Sequence, residues 1–217
     1  MCSIFGIIDN KNNIKNKDIL ARKLSNIMKH RGPDDSGLYT DEHIAFASNR
    51  LAIQDLSDGN QPFEFKNFVS IFNGEIYNFK EIKFELEKKG YKFKTLTDSE
   101  IILPAYDMWG IDFINKLNGI FSIAILDKNK NQIFLIRDRC GIKPLFFYCE
   151  NSTLVFSSEI EPIIKFPNFK LDFDINSLTS YLIYRYPMDN NNNFYRNIHR
   201  VEPGTYLKIK IDTFDIK

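Results

Sequence analysis

The stretch MCSIFGIID, residues 1–9, sets a thiol directly behind the first methionine and ahead of an almost unbroken apolar run. Ser3 to Asp9 read as a buried first strand. Removal of Met1 would leave Cys2 carrying both its thiol and a free α-amine. A thiol attacks as the thiolate, and an α-amine with an unperturbed pKa of about 7.7–8.0 takes or relays its proton near neutral pH. A cysteine near a chain start is also an ordinary small apolar strand residue. The rest of the sequence has to distinguish the two readings.

Outward from that strand, an Asn/Lys loop leads to an amphipathic helix near Asp18–Lys29, with Ile19, Leu20, Leu24, Ile27 and Met28 as its inner stripe. HRGPDDSG at 30–37 reads as a loop, and His43–Ile53 as a strand with Arg50 near its end. A strand at Phe68–Phe72 runs into Asn73-Gly74-Glu75. Asn78 is placed to cap a helix with Glu81 as capping-box partner and Gly90 as its stop. Asp98 is placed to cap another, reaching about Trp109 and kinked or shortened by Pro104. From Gly119 the pattern turns to strands: Ile120–Leu126, Gln132–Arg137, Leu145–Tyr148 and Leu154–Ser157. Short helices at Glu159–Lys165 and Asn176–Tyr184 and a last strand at Thr205–Ile211 follow. No linker or solenoid repeat divides the chain, so one domain over 1–217 is expected, an α+β fold of two layered, mainly antiparallel sheets flanked by helices.

With 217 residues and 43% hydrophobic content the chain can bury a proper core. Its 29 basic and 28 acidic residues leave a formal charge of +1, which gives no electrostatic reason to bind nucleic acid or a membrane. No apolar run spans a bilayer and no basic leader precedes the first apolar residues, so a cytoplasmic protein is expected. Cys2, Cys140 and Cys149 fit neither a disulfide framework nor a zinc knuckle. His30, His43 and His199 are scattered, and no phosphate-cradling loop occurs, so neither a metal site nor an ATP site is expected in this chain.

Asn73-Gly74 has two readings: a hairpin turn, or an oxyanion hole in which the Asn73 amide and the Gly74 N–H donate to a developing negative oxygen, glycine allowing close approach to a ligand. Arg50 is either a solvated charge or a planar clamp for an α-carboxylate. Asp98 is either a helix cap or a partner for a substrate ammonium.

Six segments in order resemble the glutaminase domain of glutamine-hydrolysing asparagine synthetases, class II glutamine amidotransferases of the N-terminal-nucleophile (Ntn) hydrolase type. They are MCSIFGI, HRGPDDSG, NRLAIQDLSDGNQPF at 49–63, NGEIYNF at 73–79, TDSEIIL at 97–103 and RDRCGIKPLFFY at 137–148. The resemblance implies a four-layer αββα sandwich. It implies Cys2 as nucleophile, Asn73 and Gly74 as oxyanion hole, Arg50 on the glutamine α-carboxylate, Glu75 and Asp98 at its α-amino end, and Leu51, Ala52, Ile53 and Gln54 lining the pocket. Attack on the side-chain amide would release ammonia and leave a thioester for water to hydrolyse. The ammonia would pass to a synthetase domain, expected outside this chain together with its ATP and magnesium, where aspartate becomes asparagine. Family members often pair, so a homodimer is a further expectation.

Three positions depart from the family pattern: Cys140 stands for an aromatic residue, Gln54 for an aliphatic one, and Pro104 falls inside a helix. Other readings are the glutaminase half of an amidotransferase with a sugar or another carboxylate as acceptor, an amidase of the same hydrolase type, or a non-catalytic glutamine-sensing module.

Overall fold

Every residue of Ser3–Asp9 is buried, so this strand needs a partner on each edge and cover on each face. The computed structural model describes residues 2–52, 59–186 and 193–217 and supplies both. In chain order the elements are β1 (Ser3–Asp9), α1 (Lys17–Asn26), β2 (Asp35–Thr40), β3 (Ile44–Arg50), β4 (Phe63–Phe65), β5 (Phe68–Ile76), α2 (Phe79–Glu87), α3 (Ile102–Trp109), β6 (Gly119–Asp127) and β7 (Gln132–Arg137). Then come β8 (Phe146–Glu150), β9 (Thr153–Ser157), α4 (Ile160–Ile164), α5 (Ile175–Tyr184), β10 (Ile198–Arg200), β11 (Tyr206–Lys210) and β12 (Asp215–Ile216). The first sheet runs β10-β8-β9-β1-β3-β2 and the second β12-β11-β7-β6-β5-β4. All of these pairings are antiparallel.

The two-residue alternation of β1 assigns its faces. Ile4 and Ile8 point between the sheets, where with Phe46 and Phe156 they meet Val69, Ile71, Ala124, Leu126 and Leu135 of the second sheet. Phe5 and Ile7 point outward onto Ala21, Leu24 and Met28 of the α1 region and Ile163 of α4. The outer face of the second sheet, with Phe72, Ile123, Ile125 and Phe134, is covered by Ile82 and Leu86 of α2 and Ile102, Leu103 and Tyr106 of α3. This is the expected four-layer αββα sandwich, which sets the end of β1 beside β3 and β5. Among the described residues no helix is long and apolar enough to cross a membrane.

Local expectations fail where tertiary contacts outrank short-range signals. Asn73-Gly74 is no turn: both residues lie inside β5, opposite Ser122 and Phe121 of β6. The expected loop at 30–37 becomes strand from Asp35, because β3 offers a partner for residues 35–40. The short strands β4, β10 and β12 have too few residues to show a period. On α1, Ile19 is 62% exposed and Ala21 is buried in its place. Asn78 does not cap α2; its side chain instead donates to the Lys116 carbonyl at 2.9 Å and accepts from the Asn118 N–H at 2.9 Å. The helix expected from Asp98 splits into a 3-10 turn, Ser99–Ile101, and α3. Pro104 thereby falls in the first turn of α3, where its missing N–H costs no helical bond. The predicted strand His43–Ile53 ends at Arg50, and Ile53 lies outside the described residues.

Candidate active site

The motif HRGPDDSG fastens the start of β1 to the end of β3. Arg31 Nε donates to the Cys2 carbonyl at 3.1 Å, while its Nη1 pairs with Glu159 Oε1 at 3.0 Å. Gly32 packs against β3 so closely that a Cβ there would lie 2.4–2.6 Å from backbone atoms of Asn49 and Arg50. Asp34 Oδ2 accepts the Ala52 N–H at 2.8 Å, fixing the chain just past Arg50. Cys2 is thereby held with its thiol facing the Leu51 carbonyl at 3.8 Å.

That thiol opens into a pocket that also contains Arg50, Leu51, Asn73, Gly74, Glu75 and Asp98. Cys2 and its expected partners, except Ala52, Ile53 and Gln54, thus share one cavity, although they lie up to 96 positions apart in the chain. Ala52 follows Leu51 with its N–H committed to Asp34. Ile53 and Gln54 lie outside the described residues.

β5 gives one wall its chemistry. Phe121, opposite Gly74, directs its own N–H and C=O toward Asp138, the N–H to Asp138 Oδ2 at 3.2 Å and the C=O to the Asp138 N–H at 2.9 Å. Gly74 and Phe121 are therefore a non-hydrogen-bonded antiparallel pair, and the N–H of Gly74 points away from β6. Its neighbours of the same parity point the same way and are satisfied: Phe72 N–H by Gln61 Oε1 at 2.6 Å, Ile76 N–H by Asp98 Oδ2 at 2.7 Å. Between them the Gly74 N–H faces the pocket.

Beside it, the Asn73 side chain is fully buried, and among the described residues neither its Nδ2 nor its Oδ1 has a hydrogen-bond partner. A buried amide without a partner costs about 1–3 kcal/mol. Its retention beside a thiol is what an oxyanion hole requires. The glycine at 74 has a packing reason beside the expected one. A Cβ there would sit 2.2 Å from the Ile120 carbonyl oxygen and 2.7 Å from Phe121 Cα, so β6 by itself already demands glycine.

The opposite end is charged. Arg50 is 7% exposed, with Nη1 3.5 Å from Asn60 Oδ1. Asp98 is equally buried, and burial raises its carboxyl to about 6; the Ile76 N–H works against this and the charge of Glu75 reinforces it. Asp98 has no cationic partner among the described residues, so a ligand ammonium would supply the missing charge. Its expected role as a helix cap is not realised, since its carboxylate is given to Ile76.

Several pocket residues escaped the sequence reading: Gly59, Gln61, Thr97, Ser99 and Lys143. Arg31 and Asp34 stand in a quoted motif, yet only the structure gives them work. Cys140 is exposed on the turn organised by Asp138. No group of three metal-ligating side chains gathers among the described residues.

Comparison with known proteins agrees with this geometry. Over 204 residues the chain is 39% identical to asparagine synthetase [glutamine-hydrolyzing] 2 of Bacillus subtilis (strain 168), covering 91% of the chain and 27% of the relative. It is 38% identical over 167 residues to asparagine synthetase B [glutamine-hydrolyzing] of Escherichia coli (strain K12), covering 76% and 30%. A putative asparagine synthetase [glutamine-hydrolyzing] 2 of Methanocaldococcus jannaschii is 32% identical over 240 residues, covering 100% and 45%. The chain thus spans 27–45% of the length of these relatives. In fold it is similar to glutamine phosphoribosylpyrophosphate amidotransferase from B. subtilis, with a TM-score of 0.68 at 18% identity, covering 100% of the chain and 48% of that structure. The glutamine amidotransferase domain family matches residues 1–217, and with the thiol, the unpartnered amide and the charged clamp in one pocket of this fold, the chain belongs to that family.

Proposed function

We propose that this domain hydrolyses the side-chain amide of glutamine and supplies the ammonia to a synthetase domain that amidates aspartate. The observation that carries the first half is a pair of donors in the pocket of Cys2, the unpartnered Asn73 Nδ2 and the Gly74 N–H that points away from β6. After removal of Met1, the Cys2 α-amine serves as the base that takes the thiol proton. Sulfur adds to the amide carbon, and the carbonyl π pair moves to oxygen, where Asn73 and Gly74 receive the charge. The Cys2 α-ammonium returns that proton to the amide nitrogen, so collapse of the adduct expels ammonia and leaves a thioester; water then releases glutamate and restores the thiol. Arg50 orients the α-carboxylate by its planar fork, and Asp98 with Glu75 takes the α-ammonium.

Aspartate as acceptor rests on the names of the relatives, all glutamine-hydrolysing asparagine synthetases. ATP and magnesium would then belong to the part of those proteins that this chain does not cover. Glutamate release from glutamine by the processed protein tests the hydrolytic half, with Cys2→Ala as control. Equal activity of the two proteins, or no activity in either with a synthetase domain present, would overturn the proposal. A non-catalytic glutamine sensor predicts that second result together with retained glutamine binding.

A further inference from the structure

Lys143 is 8% exposed and lines the pocket of Cys2, and among the described residues its ammonium meets no hydrogen-bond acceptor or carboxylate. A lysine almost never remains buried without a counter-charge. Its backbone is pinned where that charge counts. Asp138 Oδ2 accepts both the Lys143 N–H at 3.0 Å and the N–H of Phe121, the residue opposite Gly74, at 3.2 Å. Arg137 Nε holds the Lys143 carbonyl at 2.9 Å. Lys143 therefore enters from the Gly74 side, whereas Asp98 binds to Ile76, two residues further along β5. The open donors and a cation therefore stand toward one end of the pocket and the Asp98 carboxylate toward the other.

We infer that Lys143 makes the γ end of this pocket selective for negative charge, favouring the tetrahedral oxyanion and the γ-carboxylate of glutamate over the neutral amide of glutamine. This deepens the glutaminase reading and rests on it. The α end cannot distinguish the two amino acids, because their α-carboxylates and α-ammonium groups are identical. Only the γ end can, and Lys143 is the cationic side chain placed there.

The test measures L-glutamine and L-glutamate binding by calorimetry in a Cys2→Ala background, which prevents turnover, with Lys143 intact or changed to Met or Arg. Lys143→Met is expected to weaken glutamate by about tenfold or more while glutamine changes by less than about threefold, and Lys143→Arg to keep most of the glutamate affinity. Retained glutamine binding shows in the same experiment that each variant is folded. An unchanged glutamate-to-glutamine ratio in Lys143→Met, or an equal loss of both, overturns the inference and leaves the glutaminase reading standing. If the Lys143-intact protein binds neither amino acid, the glutaminase reading falls and the inference with it.

Discussion

Arg31 Nε donates to the carbonyl of Cys2 at 3.1 Å, tying the residue that carries the thiol to the loop before β2. The same guanidinium pairs with Glu159, ahead of α4. The first residue behind Met1 would otherwise fray, as chain ends do.

Arg31→Ala should therefore release Cys2 more than it unfolds the domain. The expected result is a loss of about 10–100-fold in kcat for glutamine hydrolysis, since a displacement of about 1 Å from the reacting geometry costs rate on that scale. Stability should fall by about 1–2 kcal/mol, the value of a hydrogen bond involving a charged group at a partly exposed site. Steady-state kinetics alongside urea unfolding separates the two effects, and a large stability loss with unchanged kcat would refute the positioning role.

Asn73→Ala should show the opposite balance. Its amide has no partner in the free protein, so deleting it removes a buried polar group whose cost is about 1–3 kcal/mol. The urea midpoint is expected to hold or rise while kcat falls by roughly 10²–10³. A clear fall in stability would mean that the amide is a structural element.

Gly74→Ala should fail through packing. The added Cβ meets the Ile120 carbonyl oxygen at 2.2 Å, and separating β5 from β6 to relieve this costs roughly 1–3 kcal/mol or more. Thermal unfolding reads the change, at about 2–4 °C per kcal/mol for a domain of this size. An unshifted midpoint would show that the strands can part without cost.

Asp98 predicts a pH dependence of definite sign. Its pKa is raised from 3.8 to about 6 in the fold, so its neutral form is the one the folded state prefers. The contribution is fully present below pH 3.8 and is lost as pH rises through about 6, an order of 3 kcal/mol by linkage. Asp98→Asn should accordingly stabilise the ligand-free protein at pH 7. Glutamine has the reverse demand, because its ammonium needs the ionised carboxylate. Affinity should weaken as pH falls below about 6, by at most about tenfold per pH unit, and that dependence should flatten in Asp98→Asn. Calorimetry of Cys2→Ala across pH 5–8 decides it, and a flat profile would exclude Asp98 as the ammonium partner.

Asp138→Ala should be among the most damaging single changes. Its two oxygens accept the N–H groups of Phe121, Cys140, Ile142 and Lys143, and stranding the two buried donors, Phe121 and Lys143, costs about 1–3 kcal/mol each. Urea unfolding is expected to show a loss of several kcal/mol, and a loss below about 1 kcal/mol would contradict this role.

Residue order and side-chain type alone marked two layered sheets flanked by helices, and the ordered motifs added by resemblance the four layers and the central candidates of the site. The apolar runs of Ser3–Asp9 and of most strands from Gly119 to Ser157 are a short-range property that burial on both faces imposes directly. Cys2, Arg50, Asn73, Gly74, Glu75 and Asp98 could be named because their chemistry needs those groups and the motifs keep them in order. What each residue does in the free protein was decided by tertiary contacts. Asn73-Gly74 has the local chemistry of a turn, yet the ladder to Ser122 and Phe121 holds it in a strand and turns one N–H outward. Asp98 has the local chemistry of a cap, yet Ile76 takes its carboxylate. Arg31 and Lys143 stand in quoted motifs without any local sign of their roles, because a carbonyl 29 residues away and a cavity wall built by Asp138 exist only once the sheets have paired.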